Sequence, residues 1–251
     1  MVSFSYKRHG LWIEQQWMCG ENISTPGKKI DIVMAHGLGS SVGTEKQETL
    51  ITDLTVPLEE IRKGFAKNTS YEIRRAEKEH VSFKCFKGDE ISDELLHGLA
   101  DTSFKMYASK GLEGEKNEGV LKAASSSGGL MITVAYHESE VIPLVYHAYL
   151  FDEKQTRLWQ SCSLFRENKT EANLIGYANR GLHWYDINAF KEIVGSEFMD
   201  WGGISSSTNP NGIDRFKLSF GGMVKTYYNS TIGTSIKGKS YIWLRSKVCN
   251  H

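Results

Sequence analysis

The stretch LMITVAYHESEVIPLVYHAYLFDEKQTRLWQSCSLF, residues 130–165, decides the fold. It holds three runs rich in Val, Ile, Leu, Tyr and Trp, separated by His137-Glu138-Ser139-Glu140 and by Asp152-Glu153-Lys154-Gln155. β-Branched and aromatic side chains suit a pleated, half-buried surface, and the polar clusters interrupt it, so an antiparallel three-stranded meander is predicted. Directly afterwards the period changes. From Lys169 onward, Leu174, Ala178, Leu182, Tyr185 and Ala189 recur three or four residues apart, which places them on one face of a long helix.

On the N-terminal side, Val81-Ser82-Phe83-Lys84-Cys85-Phe86 alternates like a strand, and Ser92 is placed to cap a helix carrying Leu95, Leu96, Leu99, Phe104 and Met106. Before these, the run after Pro57 is rich in helix formers and predicts two consecutive helices, the second capped by Thr69 or Ser70. Residues 1–57 hold short apolar pieces, Ile30-Asp31-Ile32-Val33-Met34 and Thr49-Leu50-Ile51-Thr52-Asp53-Leu54, around a Gly/Ser-rich loop; short strands fit best. On the C-terminal side follow a strand over residues 197–201, a Gly/Ser/Asn loop, a brief helix around Phe216, and β-rich segments at Val224-Lys225-Thr226-Tyr227-Tyr228 and Tyr241-Ile242-Trp243-Leu244. This order predicts an α/β (α+β) layer on a mixed sheet, with residues 1–57 as an N-terminal segment and 58–251 as the main domain.

Composition sets the outer limits. The chain has 251 residues, 40% hydrophobic and 24% charged, so it can bury a core and is not a disordered chain. Thirty basic residues balance thirty acidic ones, which removes any overall pull towards nucleic acid, and DNA is not an expected partner. The charge is uneven: from Asn209 onward seven basic residues face Asp214 alone, a segment that either receives phosphates or forms a solvated face. Cys19, Cys85, Cys162 and Cys249 are too far apart for a zinc or redox motif. The chain start lacks the apolar run of a signal peptide, and no stretch reaches the roughly eighteen apolar residues of a membrane span. A cytoplasmic location is the expectation, which makes the sequons at Asn22, Asn68, Asn168 and Asn229 chance matches.

Two motifs mislead. Gly39-Ser40-Ser41-Val42-Gly43 fits the nucleophile-elbow pattern and follows Ala35-His36-Gly37, but an oxyanion segment and an elbow need separate strands with a helix between them. His183 and Asp186, three residues apart, are read as a surface pair on a helix, since one His and one carboxylate do not complete a metal site. No metal is expected.

A third pattern is more specific. Gly176-Tyr177-Ala178-Asn179-Arg180-Gly181-Leu182-His183-Trp184 is followed by Phe198-Met199-Asp200-Trp201-Gly202-Gly203-Ile204. Then comes Gly212-Ile213-Asp214-Arg215-Phe216-Lys217-Leu218-Ser219-Phe220-Gly221-Gly222. Together these runs resemble the signature of the Fem-type aminoacyltransferases (lipid II glycyltransferase-like), within the GNAT-like acyltransferase superfamily, which ends D-x-G-G … G-(I/L)-x-x-F-K-x-x-F-G-G. Upstream, Tyr71-Glu72-Ile73-Arg74-Arg75-Ala76-Glu77-Lys78 resembles the R-x-x-I-R-R-A-x-K helix that precedes the same domain. The resemblance covers roughly residues 57–228. It implies a GNAT-like acyltransferase fold and transfer of an acyl or aminoacyl group to an amine, often on a peptidoglycan precursor or another sugar-linked acceptor. Relatives typically carry two such domains, so residues 1–57 resemble a remnant, or a strand pair, of a first one.

The resemblance implies that Lys217 contacts the substrate near the reacting group, where a cation can stabilise the developing oxyanion by ~2.7–4 kcal/mol; the alternative is an exposed lysine on a short helix. Phe216 is read as core or acceptor wall. Gly202 and Gly203 either let a substrate or a loop approach the backbone or form a tight turn. Asp200 either takes the proton of the attacking ammonium or pairs with an arginine. Arg74 and Arg75 either grip a phosphate or carboxylate or form ion pairs along their helix.

The connection Ser163-Leu164-Phe165-Arg166-Glu167-Asn168-Lys169-Thr170-Glu171 holds no glycine, where an acetyl-CoA enzyme usually presents a Gly-rich pyrophosphate loop. No tightly bound cofactor is expected, and the donor is an aminoacyl-tRNA or an acyl-CoA. The expected partners are an amine-bearing envelope precursor and charged tRNA, with a homodimer and peripheral contact with a lipid-linked substrate left open. Two rival functions remain: an acyl-CoA-dependent N-acetyltransferase acting on an amino sugar, and a non-catalytic GNAT-fold interaction module.

Overall fold

The computed structural model describes residues 1–137, 143–164 and 172–248. In chain order the elements are β1 (Val2–Arg8), β2 (Leu11–Trp17), β3 (Ile32–Leu38), β4 (Glu45–Asp53), α1 (Leu58–Lys63), α2 (Lys67–Lys78), β5 (Val81–Lys87) and α3 (Asp93–Ser109). They continue with α4 (Glu118–Ser126), β6 (Leu130–His137), β7 (Pro143–Phe151), β8 (Gln155–Ser163), α5 (Ala172–Ala189), β9 (Phe198–Asp200), α6 (Gly212–Leu218), β10 (Met223–Gly233) and α7 (Ile236–Val248). Outside the described residues lie Glu138-Ser139-Glu140 of the first separator, residues 165–171 of the connection after β8, with Asn168 and Lys169, and Cys249.

The chain packs as two compact units, Thr49–Lys225 and a smaller one joining Met1–Glu48 to the chain from Thr226. A boundary read at 57/58 misses this, because the smaller unit is closed by pairs far apart in sequence. There β2 lies between an antiparallel β1 and a parallel β3, and β3 pairs antiparallel with β10. Its core holds Val33, Ala35 and Leu38.

The larger unit carries the strand order β4-β9-β8-β7-β6-β5. The predicted meander is present: β5, β6, β7 and β8 are joined antiparallel. β9 runs parallel to β8, as a strand reached through a helical crossover must. Helix α5 lies over β5, β6 and β7 and packs against α2, while α3 packs on β8 and α4 on β6. The main core gathers Leu50, Tyr149, Ile187, Phe190, Trp201 and Phe220, all fully buried, each such side chain contributing about 1.5–3 kcal/mol.

Two local expectations are corrected. Tyr241, Ile242, Trp243 and Leu244 sit in helix α7, not a strand. The start of that helix is fixed by Ser235, whose hydroxyl accepts from the Gly238 N–H and whose carbonyl accepts from Lys239 N–H, and Arg245 and Lys247 favour its C-terminal end. β-Propensity is weaker than such capping. Neither Thr69 nor Ser70 caps α2: the helix starts at Lys67, the Ser70 N–H donates to the Ala66 carbonyl, and buried Thr69 donates to Ser219 Oγ at 2.8 Å. Ser92 does cap α3, accepting from Leu95 N–H.

The elbow-like motif is a loop between strands. It follows β3, the chain enters β4 rather than a helix, and Ser41 donates its hydroxyl to Glu21. Cys19, Cys85 and Cys162 are free thiols, and burial pushes Cys85 and Cys162 up to about 12, far from the thiolate a nucleophile needs. Among the described residues no helix is long and apolar enough to cross a membrane.

Candidate active site

Strand β9, the loop after it and helix α6 bring the resembling motifs together. Asp200 ends β9 and is buried. Its Oδ1 accepts from the Gly202 N–H at 2.8 Å and from the Thr49 hydroxyl, and its Oδ2 pairs with the Arg157 guanidinium from β8. Every one of these contacts is structural, so of its two readings the geometry realises the pairing with an arginine. Gly202 stands at φ +67°, and a Cβ there would lie 2.5 Å from the Leu158 carbonyl oxygen. The backbone that comes close to this glycine is that of strand β8.

Lys217 extends from α6, and its Nζ donates to the carbonyl oxygens of Gly202 and Gly203, at 2.7 and 2.8 Å. Burial lowers it from 10.5 to about 8, with Arg157 acting in the same direction and Asp200 and Asp214 opposing. The short helix is held by Asp214. Its carboxylate accepts from Ser205 N–H and hydroxyl and from Ser206 and Asn211 N–H, while the Asn211 side chain accepts from Ile213 and Asp214 N–H in a reciprocal capping box. Burial pushes the Asp214 carboxyl up, but the hydrogen bonds outweigh it and hold the group below its usual value. At the other end, Gly222 takes φ +99° where a Cβ would meet the Ile51 carbonyl at 2.6 Å. Gly222 thus seats the chain against β4, while a Cβ at Gly221 would meet the Gly64 carbonyl at 2.8 Å.

Phe216 is half-buried, its ring 5.5 Å from His183 and from Phe220. Over it, at 4.7 Å, lies the guanidinium of Arg180, which also pairs with Glu72 at 2.7 Å. Arg75 instead pairs with Glu79 along α2 and lies 5.3 Å from the Tyr177 ring, and Arg74 is exposed. The arginine that reaches the Phe216-Lys217 corner is Arg180. Its signal in the sequence was its place in the motif before Gly181, one helical turn ahead of His183.

Behind this corner lies a buried polar cluster that sequence reading missed. His183 and Asp186 do not form a surface pair: both are buried in α5, and β7 adds His147 and Tyr149. Asp186 Oδ2 accepts from the Tyr149 hydroxyl and from His147 Nδ1, each at 2.7 Å, and the other His147 nitrogen faces the Asn179 amide at 2.9 Å. The His147 and His183 rings stack 4.0 Å apart at 28°, and His183 also lies 4.8 Å from the Trp201 ring. His147, His183 and Asp186 bring three ligand-type atoms within 4.8 Å of one another. Lone pairs lie in the ring planes, however, so near-parallel stacked rings do not converge on one ion about 2.0–2.1 Å from each nitrogen. The arrangement is a hydrogen-bonded network. Burial holds His183 well below its usual value, with His147, Lys217 and Arg180 adding to the effect, and burial followed by Asp186 holds the Tyr149 hydroxyl well above its own.

A half-buried lysine on a short helix is thus clamped to a Gly-Gly loop after a parallel strand. No protein-family model matches the chain, and no curated protein sequence does. Solved structures do. The crystal structure of FemX superimposes with a TM-score of 0.61 at 10% identity, over 96% of this chain and 85% of that one. L-PGS from Bacillus licheniformis gives 0.55 at 13% identity, over 97% and 84%, and the C-terminal domain of a putative lysylphosphatidylglycerol synthetase from Agrobacterium fabrum gives 0.55 at 10%, over 96% and 83%. The chain shares the fold of FemX and of these two other structures.

Proposed function

We propose that this protein is an acyl or aminoacyltransferase that forms an amide on an amine of a cell-envelope precursor, either a peptidoglycan-type peptide or an amino sugar. The observation that carries this reading is Lys217. The fold likeness to FemX supports it, and the residue that aligns with the family motif is a half-buried ammonium held by two carbonyl oxygens.

In the reaction, the acceptor nitrogen attacks the carbonyl carbon of the donor ester or thioester. A C–N bond forms, the C–O or C–S bond breaks, and the proton lost by nitrogen leaves with the released hydroxyl or thiol. Negative charge builds on the carbonyl oxygen in between. An ammonium has three N–H donors, and the Gly202 and Gly203 carbonyls occupy two of them, so Lys217 is orientated before substrate arrives and the third donor serves the oxyanion. Arg157 and Asp200 act as positioning residues, since Asp200 fixes Gly202, whose carbonyl fixes Lys217. Phe216 and Arg180 form the wall beside it.

The glycine-free connection over residues 163–171 favours an aminoacyl-tRNA donor over acyl-CoA. The test is a transfer assay read by mass spectrometry, pairing charged tRNA or acetyl-CoA with a muramyl pentapeptide or glucosamine. Amide formation that falls about 10²–10³-fold in Lys217→Ala is expected. Absence of amide product from every pairing, with a folded protein, overturns the reading.

A further inference from the structure

Helix α7, in the smaller unit, is seated by one side. A Cβ at buried Gly238 would lie 1.8 Å from the Asp31 carbonyl oxygen, so the helix backbone rests directly on the residue that precedes β3. Half-buried Tyr241 and Ile242, three and four residues further on, share that side. The opposite side is open to solvent, yet it too is apolar: Ile236 is 86% exposed, Trp243 61% and Leu244 57%. Spacings of seven and eight residues place Trp243 and Leu244 two turns beyond Ile236 on one face. A single exposed apolar side chain is ordinary, but three large ones on one helix face, an indole among them, mark an interaction surface.

The charge around this face selects the partner. Helix α7 carries Lys237, Lys239, Arg245 and Lys247, all exposed, and no acidic residue. Lys239 and Lys247 stand four residues before and after Trp243, which puts a cation on each side of the indole, and Lys247 Nζ lies 6.0 Å from its ring. The loop that meets the helix start adds exposed Lys28 and Lys29, and it is tied there by the Thr234 hydroxyl, which donates to the Ile30 carbonyl. The carboxylate at this junction, Asp31, is engaged by the Ser235 hydroxyl and the Trp12 N–H.

An anionic partner follows. A second copy of the chain, docked through the same face, would set these cations against their own kind, which disfavours self-association. A nucleic acid would use the charge and the indole, since bases stack on flat rings, but Ile236 and Leu244 would gain little from it. A lipid surface uses all of them. Aliphatic side chains enter the acyl boundary, an indole rests there with its N–H towards water, and lysine stems lie along the apolar layer with their ammonium groups among the phosphates.

We propose that the outer face of α7 is a docking surface for an anionic lipid bilayer, in which Ile236, Trp243 and Leu244 enter the headgroup–acyl boundary and the surrounding lysines and arginine meet lipid phosphates. The surface does not rest on the transferase reading, and Lys217 takes no part in it.

The test is co-sedimentation of the full chain with vesicles of phosphatidylglycerol and phosphatidylcholine in equal parts, beside vesicles of phosphatidylcholine alone. Binding to the first and not the second is expected, weakening as salt rises from about 0.1 M to about 1 M and the screening length falls from ~10 Å to ~3 Å. Lys239→Gln with Lys247→Gln lowers the partition coefficient about 30-fold, and Trp243→Ser with Leu244→Ser lowers it at least about tenfold. Both double variants keep the parent melting temperature, because the altered side chains are exposed. Brominated phosphatidylglycerol quenches the tryptophan fluorescence of the parent, and Trp243→Phe loses that quenching. Lys217→Ala binds vesicles like the parent, so a failed transfer assay leaves this result intact. No binding to the anionic vesicles, equal binding to both kinds, or quenching that survives Trp243→Phe would each overturn the proposal. So would vesicle-independent dimers, or tRNA binding, abolished by the same variants in a protein that ignores vesicles.

Discussion

The ε-ammonium of Lys217 lies 2.7 Å from the carbonyl oxygen of Gly202, and the N–H of the same glycine lies 2.8 Å from Asp200 Oδ1. One residue without a side chain therefore couples the buried ion pair of β8 and β9 to the candidate catalytic cation. From this relay the consequences can be separated by experiment.

Lys217 titrates in the native state near 8 rather than 10.5. Between those values the folded protein binds fewer protons than the unfolded chain, so unfolding free energy rises with pH through that window; the contribution is lost as pH falls through about 8. Urea unfolding followed from pH 7 to pH 10 should show this rise in the parent and a flatter profile in Lys217→Met. A transfer rate that needs the ammonium should in turn decline above about pH 8, and Lys217→Arg should carry its plateau to higher pH.

Asp200→Asn separates an anchor from a base. Removing the carboxylate charge from this buried ion pair costs about 3–5 kcal/mol, so the denaturation midpoint should fall sharply. A variant as stable as the parent but unable to transfer would restore the proton-acceptor role to Asp200.

Gly202→Ala forces a side chain onto a left-handed backbone against the Leu158 carbonyl. A loss of at least about 1–3 kcal/mol is expected, seen as a lower melting temperature, together with loss of transfer because the Lys217 clamp moves. Alanine at exposed Gly212, where a Cβ meets nothing within 4 Å, should change little and serves as the control.

His183 is held neutral by burial and by the neighbouring His147, Lys217 and Arg180. Its depressed value means that the unfolded chain takes up a proton first, so stability is full above about pH 6.5 and declines below it. His183→Phe should flatten that acid limb in urea titrations between pH 7 and pH 5. Asp186→Ala, which strands the Tyr149 hydroxyl and the His147 N–H, should cost about 1–3 kcal/mol for each group.

How far the sequence reached can be judged residue by residue. The meander of β6, β7 and β8, helix α5 and the Ser92 cap follow from periodicity and capping chemistry, which act within a few neighbouring residues. The Phe216-Lys217 and Gly202-Gly203 motifs were legible as a pair, and folding brings them within hydrogen-bond distance of each other. The partner of Asp200 could not be read, because Arg157 lies 43 residues away on the parallel neighbour of its strand. The same holds for His147, which meets Asp186 across 39 residues and turns an apparent surface pair into a buried network.

Local patterning thus determined which segments are strands and helices and where the reactive-looking side chains sit along them. Tertiary structure alone decided which of those side chains are anchors, because anchoring depends on burial and on partners supplied by distant strands. It also closed the smaller unit by pairing β10 with β3. These outcomes rest on long-range contacts, whose energies appear only once the chain has folded.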